Sequence, residues 1–155
     1  GTKADIYEGG HRVPLLVRWP SSIKAGSVSD HTTTLTDWFA TISELVDHRM
    51  TDGEGEDSFS LVPLLKGNGT WQRAPVINHS INGTFAIRDG RWKLIAGSGS
   101  GGRQAPRGKP FERPYQLYDL TADPSERNNL IRLNPQLAKA LEKKLDDIRD
   151  AGRSR

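Results

Sequence analysis

The second half of the chain contains short runs of β-branched and aromatic residues separated by turn dipeptides. Three such runs lie at 75–79, 84–88 and 91–95, and a fourth follows at 115–120. Asn82-Gly83 and Asp89-Gly90 separate the first three runs, and these dipeptides tolerate the positive φ angles of tight hairpin turns. The pattern predicts a four-stranded antiparallel meander.

Two other segments carry apolar residues at helical spacing. The C-terminal stripe consists of Leu137, Leu141, Leu145 and Ile148. It follows Asn134-Pro135, a favoured helix start, and precedes Gly152, a favoured helix stop. The earlier stripe consists of Leu35, Phe39, Ile42 and Val46. Its spacings of four, three and four predict a helix with one apolar face.

An apolar run at 13–19 ends at Pro20 and predicts a buried strand. Strands followed by a flanking helix favour an α+β fold, with a small antiparallel four-stranded sheet packed against the C-terminal helix. The composition changes near 68–74. We therefore expect residues 1–70 to be the end of a larger α/β domain and residues 71–155 to be a small sheet-plus-helix subdomain.

Composition excludes several classes of site and partner. The chain has no cysteine, which rules out disulfides, thiolate metal sites and a thiol nucleophile. Its longest apolar stretches are about five residues, far short of a membrane span. The four tryptophans are scattered among the other residues, which argues against stacking on nucleic acid bases. Because the chain opens with Gly-Thr-Lys, we expect that its true N-terminus is missing.

The net charge of +3 is carried by one glycine-rich segment. Residues 97–113 contain four basic residues and one acidic residue, so the rest of the chain is neutral. This composition predicts a solvated basic loop, poorly ordered over 97–109.

Four ordered segments resemble the formylglycine-dependent sulfatases, the arylsulfatase-like branch of the alkaline phosphatase superfamily. The segments are Gly1-Thr-Lys3 with Glu8-Gly-Gly-His-Arg-Val-Pro14, the helix positions Asp37 and Thr41, Ser60-Leu-Val-Pro-Leu-Leu-Lys-Gly67, and Phe85-Ala-Ile-Arg-Asp-Gly-Arg-Trp-Lys-Leu-Ile95 followed by Leu117-Tyr-Asp-Leu-Thr-Ala-Asp-Pro-Ser-Glu-Arg-Asn-Asn-Leu130. One departure is Ser58, which stands where this family usually has glycine. The resemblance covers nearly the whole chain and is to the C-terminal portion of these enzymes.

The resemblance implies a role for Lys3. This residue is similar to the lysine that contacts sulfate in the family, and a compact ammonium there stabilises the charge that develops as a sulfate ester is cleaved. His79 and His11 are two further candidates for substrate binding, since a histidine can donate a hydrogen bond to a sugar hydroxyl or to sulfate. A structural role competes with each of these readings.

Other polar residues favour structural readings. Glu8-Gly9-Gly10 suits a tight backbone bend, and Arg12 is a candidate to pair with Glu8. Asp119, Asp123 and Glu126 are too sparse for a calcium loop. Asn68, Asn78 and Asn82 begin glycosylation-type triplets, a pattern that is short and commonly accidental.

The resemblance also implies what this chain lacks. The formylglycine precursor and the calcium-binding carboxylates of these enzymes lie upstream, so we expect the chain to hold no metal ligand and to be inactive alone. The implied partners are a sulfated small molecule or polysaccharide and the missing N-terminal catalytic domain, without nucleic acid or membrane. The implied location is periplasmic or secreted. Two alternatives stay open: a phosphodiester or phosphonate hydrolase of the same superfamily, and a catalytically silent binding scaffold.

Overall fold

A computed structural model describes residues 1–67 and 71–155. The chain forms two compact units, Gly1–Pro14 with Pro75–Asp150 and Leu15–Ala74 with Ala151–Arg155. The first unit therefore includes a segment from the start of the chain, whereas the division expected from the sequence was contiguous. That domain assignment stays a prediction, and its boundary and the Asn68 triplet fall on residues 68–70, outside the described part.

The first unit is built on the expected meander. The strands are β1 (Val76–His79), β2 (Phe85–Asp89), β3 (Trp92–Ala96) and β4 (Gln116–Asp119). They are antiparallel and lie in the order β1-β2-β3-β4. Gly83 and Gly90, in the connections between the first three strands, have φ angles of 78° and 58°. The prediction from the turn dipeptides is confirmed.

The two faces of this sheet are covered differently. On one face, Leu94 and Leu117 pack against the C-terminal helix α4 (Pro135–Ala151) through Leu141 and Leu145. The other face is covered by Ile6 and Leu120, which lie outside the strands. There the buried side chains of Ile6, Ala86, Ile95, Tyr118 and Leu120 form a second cluster. The N-terminal segment, which carries Lys3 and the short helix α1 (Glu8–His11), is thus part of the sheet's packing.

The second unit contains helices α2 (Asp37–Leu45) and α3 (Val62–Leu65). In α2 the interior positions are Asp37, Ala40, Thr41 and Ser43. The apolar stripe faces outwards: Leu35 is 74%, Ile42 54% and Val46 67% exposed. The helix forms where the periodicity predicts it, but about half or more of the surface of each side chain in its apolar stripe is exposed.

Polar contacts hold this unit together. The buried Asp37 carboxylate accepts hydrogen bonds from Thr34 N–H at 2.7 Å and Phe59 N–H at 3.1 Å, and it pairs with Arg73 at 2.5 Å. The Ser58 hydroxyl donates to Thr36 O and accepts from Ala40 N–H, both at 2.7 Å. A glycine at position 58 could make neither side-chain bond.

Two expectations from the sequence are wrong. Residues 13–19 form no strand, and Leu16 is 93% exposed. A strand needs a neighbour for its backbone hydrogen bonds, and the described sheet pairs only β1 to β4 with one another. The loop that begins at residue 97 is not loose, because residues 99–102 are buried. Among the described residues, no helix combines the length and apolarity needed to cross a bilayer.

Candidate functional site

A tight turn at the start of the chain presents Lys3. The Asp5 N–H donates to Thr2 O at 3.0 Å, which places Lys3 at the second position of a four-residue turn. Ala4, at the third position, has φ 86°, the left-handed value of a type II turn. The Lys3 side chain is exposed. The backbone is therefore bent at the residue whose ammonium is the candidate sulfate contact.

The carboxylate of Asp5 fixes this turn. It is 3% exposed and accepts hydrogen bonds from Thr2 N–H at 2.7 Å, Arg103 N–H at 2.6 Å and Gln104 N–H at 3.1 Å. Burial alone would raise the pKa of Asp5, but these backbone donors outweigh it and lower the pKa to about 2. One carboxylate that is ionised at neutral pH thus joins the Lys3 turn to the basic loop.

Glycines allow the bend that follows. A Cβ on Gly10 would lie 2.2 Å from Asp5 O and 2.9 Å from Thr2 O, and one on Gly9 would lie 2.3 Å from Gly1 O. These are contacts with backbone, which has no flexible end that could move aside. The geometry gives Glu8-Gly9-Gly10 the expected structural role, although through close approach rather than through a positive φ angle.

A buried lysine ties the same segment to the sheet. The Lys93 ammonium, with no exposed surface, lies 2.9 Å from Ile6 O and 3.0 Å from Glu8 Oε1. Glu126 Oε1 lies 2.9 Å away as an ion pair, without hydrogen-bond geometry. Its other oxygen accepts Glu8 N–H at 2.6 Å. Two carboxylates therefore neutralise one buried ammonium beneath α1.

Glu8 is the centre of this charge cluster. Burial opposes its ionisation, but a hydrogen bond from His11 and the charges of Lys93 and Arg88 lower its pKa to about 2. His11 Nε2 lies 3.3 Å from Glu8 Oε1, and Arg88 lies 3.2 Å from Oε2. The Glu8 carboxylate thus pairs with Arg88 and Lys93 from the sheet. The expected partner Arg12 contacts Glu8 through the backbone, where Arg12 N–H donates to Glu8 O at 2.8 Å, and the two side chains form no ion pair among the described residues.

Gln116 links three segments on the same face. Its Oε1 accepts hydrogen bonds from the Tyr7 hydroxyl at 2.9 Å and the Tyr118 hydroxyl at 2.8 Å. Its Nε2 donates to Gly97 O at 3.0 Å and Gly99 O at 3.1 Å. Burial raises the pKa of both tyrosines, which keeps their hydroxyls protonated as donors.

His79 ends β1 and leads into the turn before β2. Its side chain is exposed, its Nδ1 lies 3.1 Å from Ser80 O, and its ring lies 5.8 Å from that of Phe85. The Ile81 N–H donates to Ala4 O at 3.1 Å. The backbone after His79 therefore touches the backbone after Lys3.

The basic loop reaches the same place. Ile6 N–H donates to Ser100 O at 2.8 Å, and Asn82 N–H donates to Gly101 O at 3.2 Å. Lys3, His79 and the loop thus belong to three backbone segments joined by hydrogen bonds. His11 lies apart from these bonds and contacts Glu8 in α1. These three segments form the candidate site.

The three acidic residues considered as a cation site are engaged separately. Asp119 pairs with Arg91, Asp123 accepts Arg127 N–H at 2.7 Å, and Glu126 lies against Lys93. Hydrogen bonding to Arg91 lowers the pKa of Asp119. No group of three or more possible metal ligands occurs in the described part of the chain.

The roles of Asp5, Lys93 and Gln116 were missed from the sequence. Lys93 carried a usable signal, because it is the one charged residue in the run Trp92-Lys-Leu-Ile-Ala96, where both faces read as buried. A lysine at such a position needs buried anionic partners. Asp5 and Gln116 gave no comparable signal, since their partners are backbone groups and residues distant in the chain.

Comparisons with known proteins agree on one family. The model described as "N-sulphoglucosamine sulphohydrolase, C-terminal" matches residues 2–151. The chain is 31% identical to an N-acetylgalactosamine-6-O-sulfatase of Bacteroides thetaiotaomicron over 96% of its own length and 29% of that protein. It is 32% identical to human arylsulfatase A over 83% of its length and 28% of that protein.

A solved structure gives the same result for the fold. It comes from work on the metabolism of multiple glycosaminoglycans by Bacteroides thetaiotaomicron, and it superposes with a TM-score of 0.80 at 29% identity, covering 94% of this chain and 31% of that one. The chain thus spans less than a third of the length of these relatives. The chain belongs to the family described as N-sulphoglucosamine sulphohydrolase, C-terminal.

Proposed function

We propose that the parent protein hydrolyses sulfate esters and that this chain supplies part of the substrate-binding side of its active site. The observation that carries the proposal is the turn that presents Lys3, fixed by the Asp5 carboxylate and underpinned by the buried Lys93–Glu8 pair. An exposed lysine on a frayed terminus would need no such support. The family relationship supports a sulfate group as the anion that Lys3 contacts.

The chemistry assigned to this chain is electrostatic. A sulfate ester carries one negative charge over three oxygens, and cleavage adds charge on the bridging oxygen. An ammonium held beside that oxygen stabilises the transition state more than the ground state. Lys3 has this role in the proposal, while His79 and His11 donate hydrogen bonds that orient the substrate.

The nucleophile and the metal are assigned to the rest of the parent. The chain has no cysteine, and its described residues offer no ligand set for calcium. In sulfatases a formylglycine supplies the nucleophile and a bound Ca²⁺ holds the sulfate group. We therefore expect the chain alone to release no sulfate.

The proposed substrate is a sulfated carbohydrate. The similarity to an N-acetylgalactosamine-6-O-sulfatase supports it, as does the structural likeness to a protein from glycosaminoglycan metabolism. An aryl sulfate is the alternative, supported by the similarity to arylsulfatase A. A periplasmic or secreted location is part of the same proposal and follows from the family resemblance alone.

The test compares the full-length protein with the 155-residue chain on three substrates. These are 4-nitrophenyl sulfate, a 6-sulfated N-acetylhexosamine and bis(4-nitrophenyl) phosphate. We expect sulfate release by the full-length protein only, fastest from the sugar. Preference for the phosphodiester would replace the proposal with the related phosphohydrolase, and no turnover of any substrate would favour a silent scaffold. Equal activity of the chain would overturn the assignment of the nucleophile.

A further inference from the structure

Three cations in the basic loop have no anionic partner among the described residues. Arg103, Arg107 and Lys109 are all exposed. The other four arginines and lysines between the start of β2 and the start of β4 are all engaged with carboxylates, namely Arg88, Arg91, Lys93 and Arg113. The net positive charge of the chain is thus concentrated on one loop, and three of the cations in that loop are not neutralised by a described carboxylate.

This loop has a defined backbone. Ser100 N–H donates to Pro106 O at 2.9 Å and Gly101 N–H donates to Arg107 O at 2.7 Å, which closes the loop on itself. A Cβ on Gly102 would lie 2.5 Å from Ala4 O, so the loop is pressed against the Lys3 turn. Because the backbone is already ordered, a ligand bound by the side chains would not need to order it.

The loop and Lys3 share one anchor. Asp5 Oδ1 accepts Arg103 N–H at 2.6 Å, while Oδ2 accepts Thr2 N–H at 2.7 Å. One carboxylate therefore binds the backbone of Arg103 on the loop and that of Thr2, the neighbour of Lys3, on the N-terminal segment. The anchor uses only the backbone of Arg103, which leaves its guanidinium free for a ligand.

The chemistry of the guanidinium identifies that ligand. Its planar donors match the paired oxygens of a sulfate or a carboxylate, and two such bonds fix a geometry that an ammonium does not. Given the proposed function, we infer that Arg103, with Arg107 and Lys109 as supporting charges, binds a second acidic group of the carbohydrate whose reacting sulfate lies at Lys3. The substrate class is thereby narrowed to saccharides with two or more acidic groups.

The experiment uses the full-length protein and two disaccharides with the same sugar backbone, one monosulfated and one disulfated. For Arg103→Gln we expect KM for the disulfated substrate to rise at least tenfold, with KM for the monosulfated substrate and both kcat values unchanged. The increase should shrink in high salt, because the lost contact is between charges. Arg132→Gln removes an exposed arginine outside the loop and should change none of these values.

An equal change in KM for both substrates, or no change in either KM, would overturn the inference while leaving the proposed function intact. If the full-length protein hydrolyses neither substrate, the proposed function fails. Calorimetric binding of the disulfated disaccharide then tests the Arg103 subsite independently of catalysis. Binding weakened tenfold by Arg103→Gln would still support the subsite. The absence of binding, or an Arg103-dependent preference for a single-stranded oligonucleotide, would overturn it.

Discussion

The Lys93 ammonium lies 3.0 Å from Glu8 Oε1, although the two residues are 85 positions apart in the chain. Lys93 is fully buried on β3, and Glu8 begins the short helix α1. The pair therefore joins the centre of the sheet to the segment that carries Lys3. Its integrity should affect both the stability of the fold and the position of the candidate catalytic ammonium.

Replacing Lys93 with methionine should destabilise the chain by about 3–5 kcal/mol, because the buried Glu126 carboxylate would lose its cation and Glu8 would keep only Arg88 as a full positive charge. Urea denaturation followed by circular dichroism measures this change. The double variant Lys93→Met with Glu8→Gln should recover part of the loss, since one unpaired charge is removed. Lys143→Met, on the exposed face of α4, is the control and should change the stability little. An effect of Lys93→Met as small as that of Lys143→Met would contradict the role of the buried pair.

The stability of the chain should fall in acid. The pKa values of Asp5 and Glu8 are both about 2 in the folded protein, below their ordinary values of 3.8 and 4.5. Folding is thus favoured by their ionised forms above about pH 4.5, and this contribution is lost as the pH falls towards 2. Unfolding free energies measured between pH 6 and pH 2.5 should decline, and less steeply in Asp5→Asn. A slope unchanged by that substitution would remove Asp5 as a contributor.

Gly10→Ala should destabilise the chain by about 1–3 kcal/mol, because the added methyl group would overlap the Asp5 carbonyl oxygen and the backbone there has no room to move. The thermal unfolding midpoint reports the change. Gly53→Ala is a matched control, since a Cβ at that position has nothing within 4 Å. Similar midpoints for the two variants would show that the bend at residues 8–10 tolerates a side chain.

Lys3→Ala in the full-length protein should lower the turnover of a sulfate ester at least tenfold, equivalent to about 1.4 kcal/mol of activation barrier. The expected loss is in kcat, because the ammonium acts chiefly on charge formed in the transition state. Steady-state kinetics of Lys3→Ala and of Lys139→Ala, an exposed lysine on α4, separate this effect from a general loss of charge. An unchanged kcat would remove Lys3 from the reaction.

Ile42→Asp should affect the stability of the full-length protein more than that of the 155-residue chain. Ile42 is 54% exposed in this chain, so the substitution should change the chain's stability by less than about 0.5 kcal/mol. We expect the exposed stripe of α2 to be covered by the rest of the parent protein, where a buried aspartate would lower the thermal midpoint by several degrees. Lys139→Asp is the control. A full-length midpoint unaffected by Ile42→Asp would contradict this cover.

The sequence predicted the secondary-structure elements better than it predicted which of their side chains are buried. The meander and α4 followed from local signals, because turn dipeptides and helical spacing act within a few residues. The run at 13–19 and the apolar stripe of α2 were also local patterns. Whether their side chains are buried depends on which other segments pack against them, and a local pattern does not show this. The candidate site was predicted from Lys3 and its sequence context, and it stays a prediction, whereas its supports at Asp5, Lys93 and Gln116 arise from contacts that the sequence pattern does not indicate.

The close fit of Gly102 against Ala4 also determines where this protein can change. Any side chain at position 102 would collide with the Ala4 carbonyl oxygen and the Asp5 carboxylate, so the stem of the loop must keep its sequence for the Lys3 turn to keep its shape. Beyond the stem, the side chains of residues 103–107 are exposed and can vary in charge, whereas the backbone bonds of this segment to Asp5, Ser100 and Gly101 restrict its length. Natural or engineered diversification of ligand preference should therefore accumulate as side-chain substitutions at this tip, which leave the backbone anchor of the Lys3 turn in place.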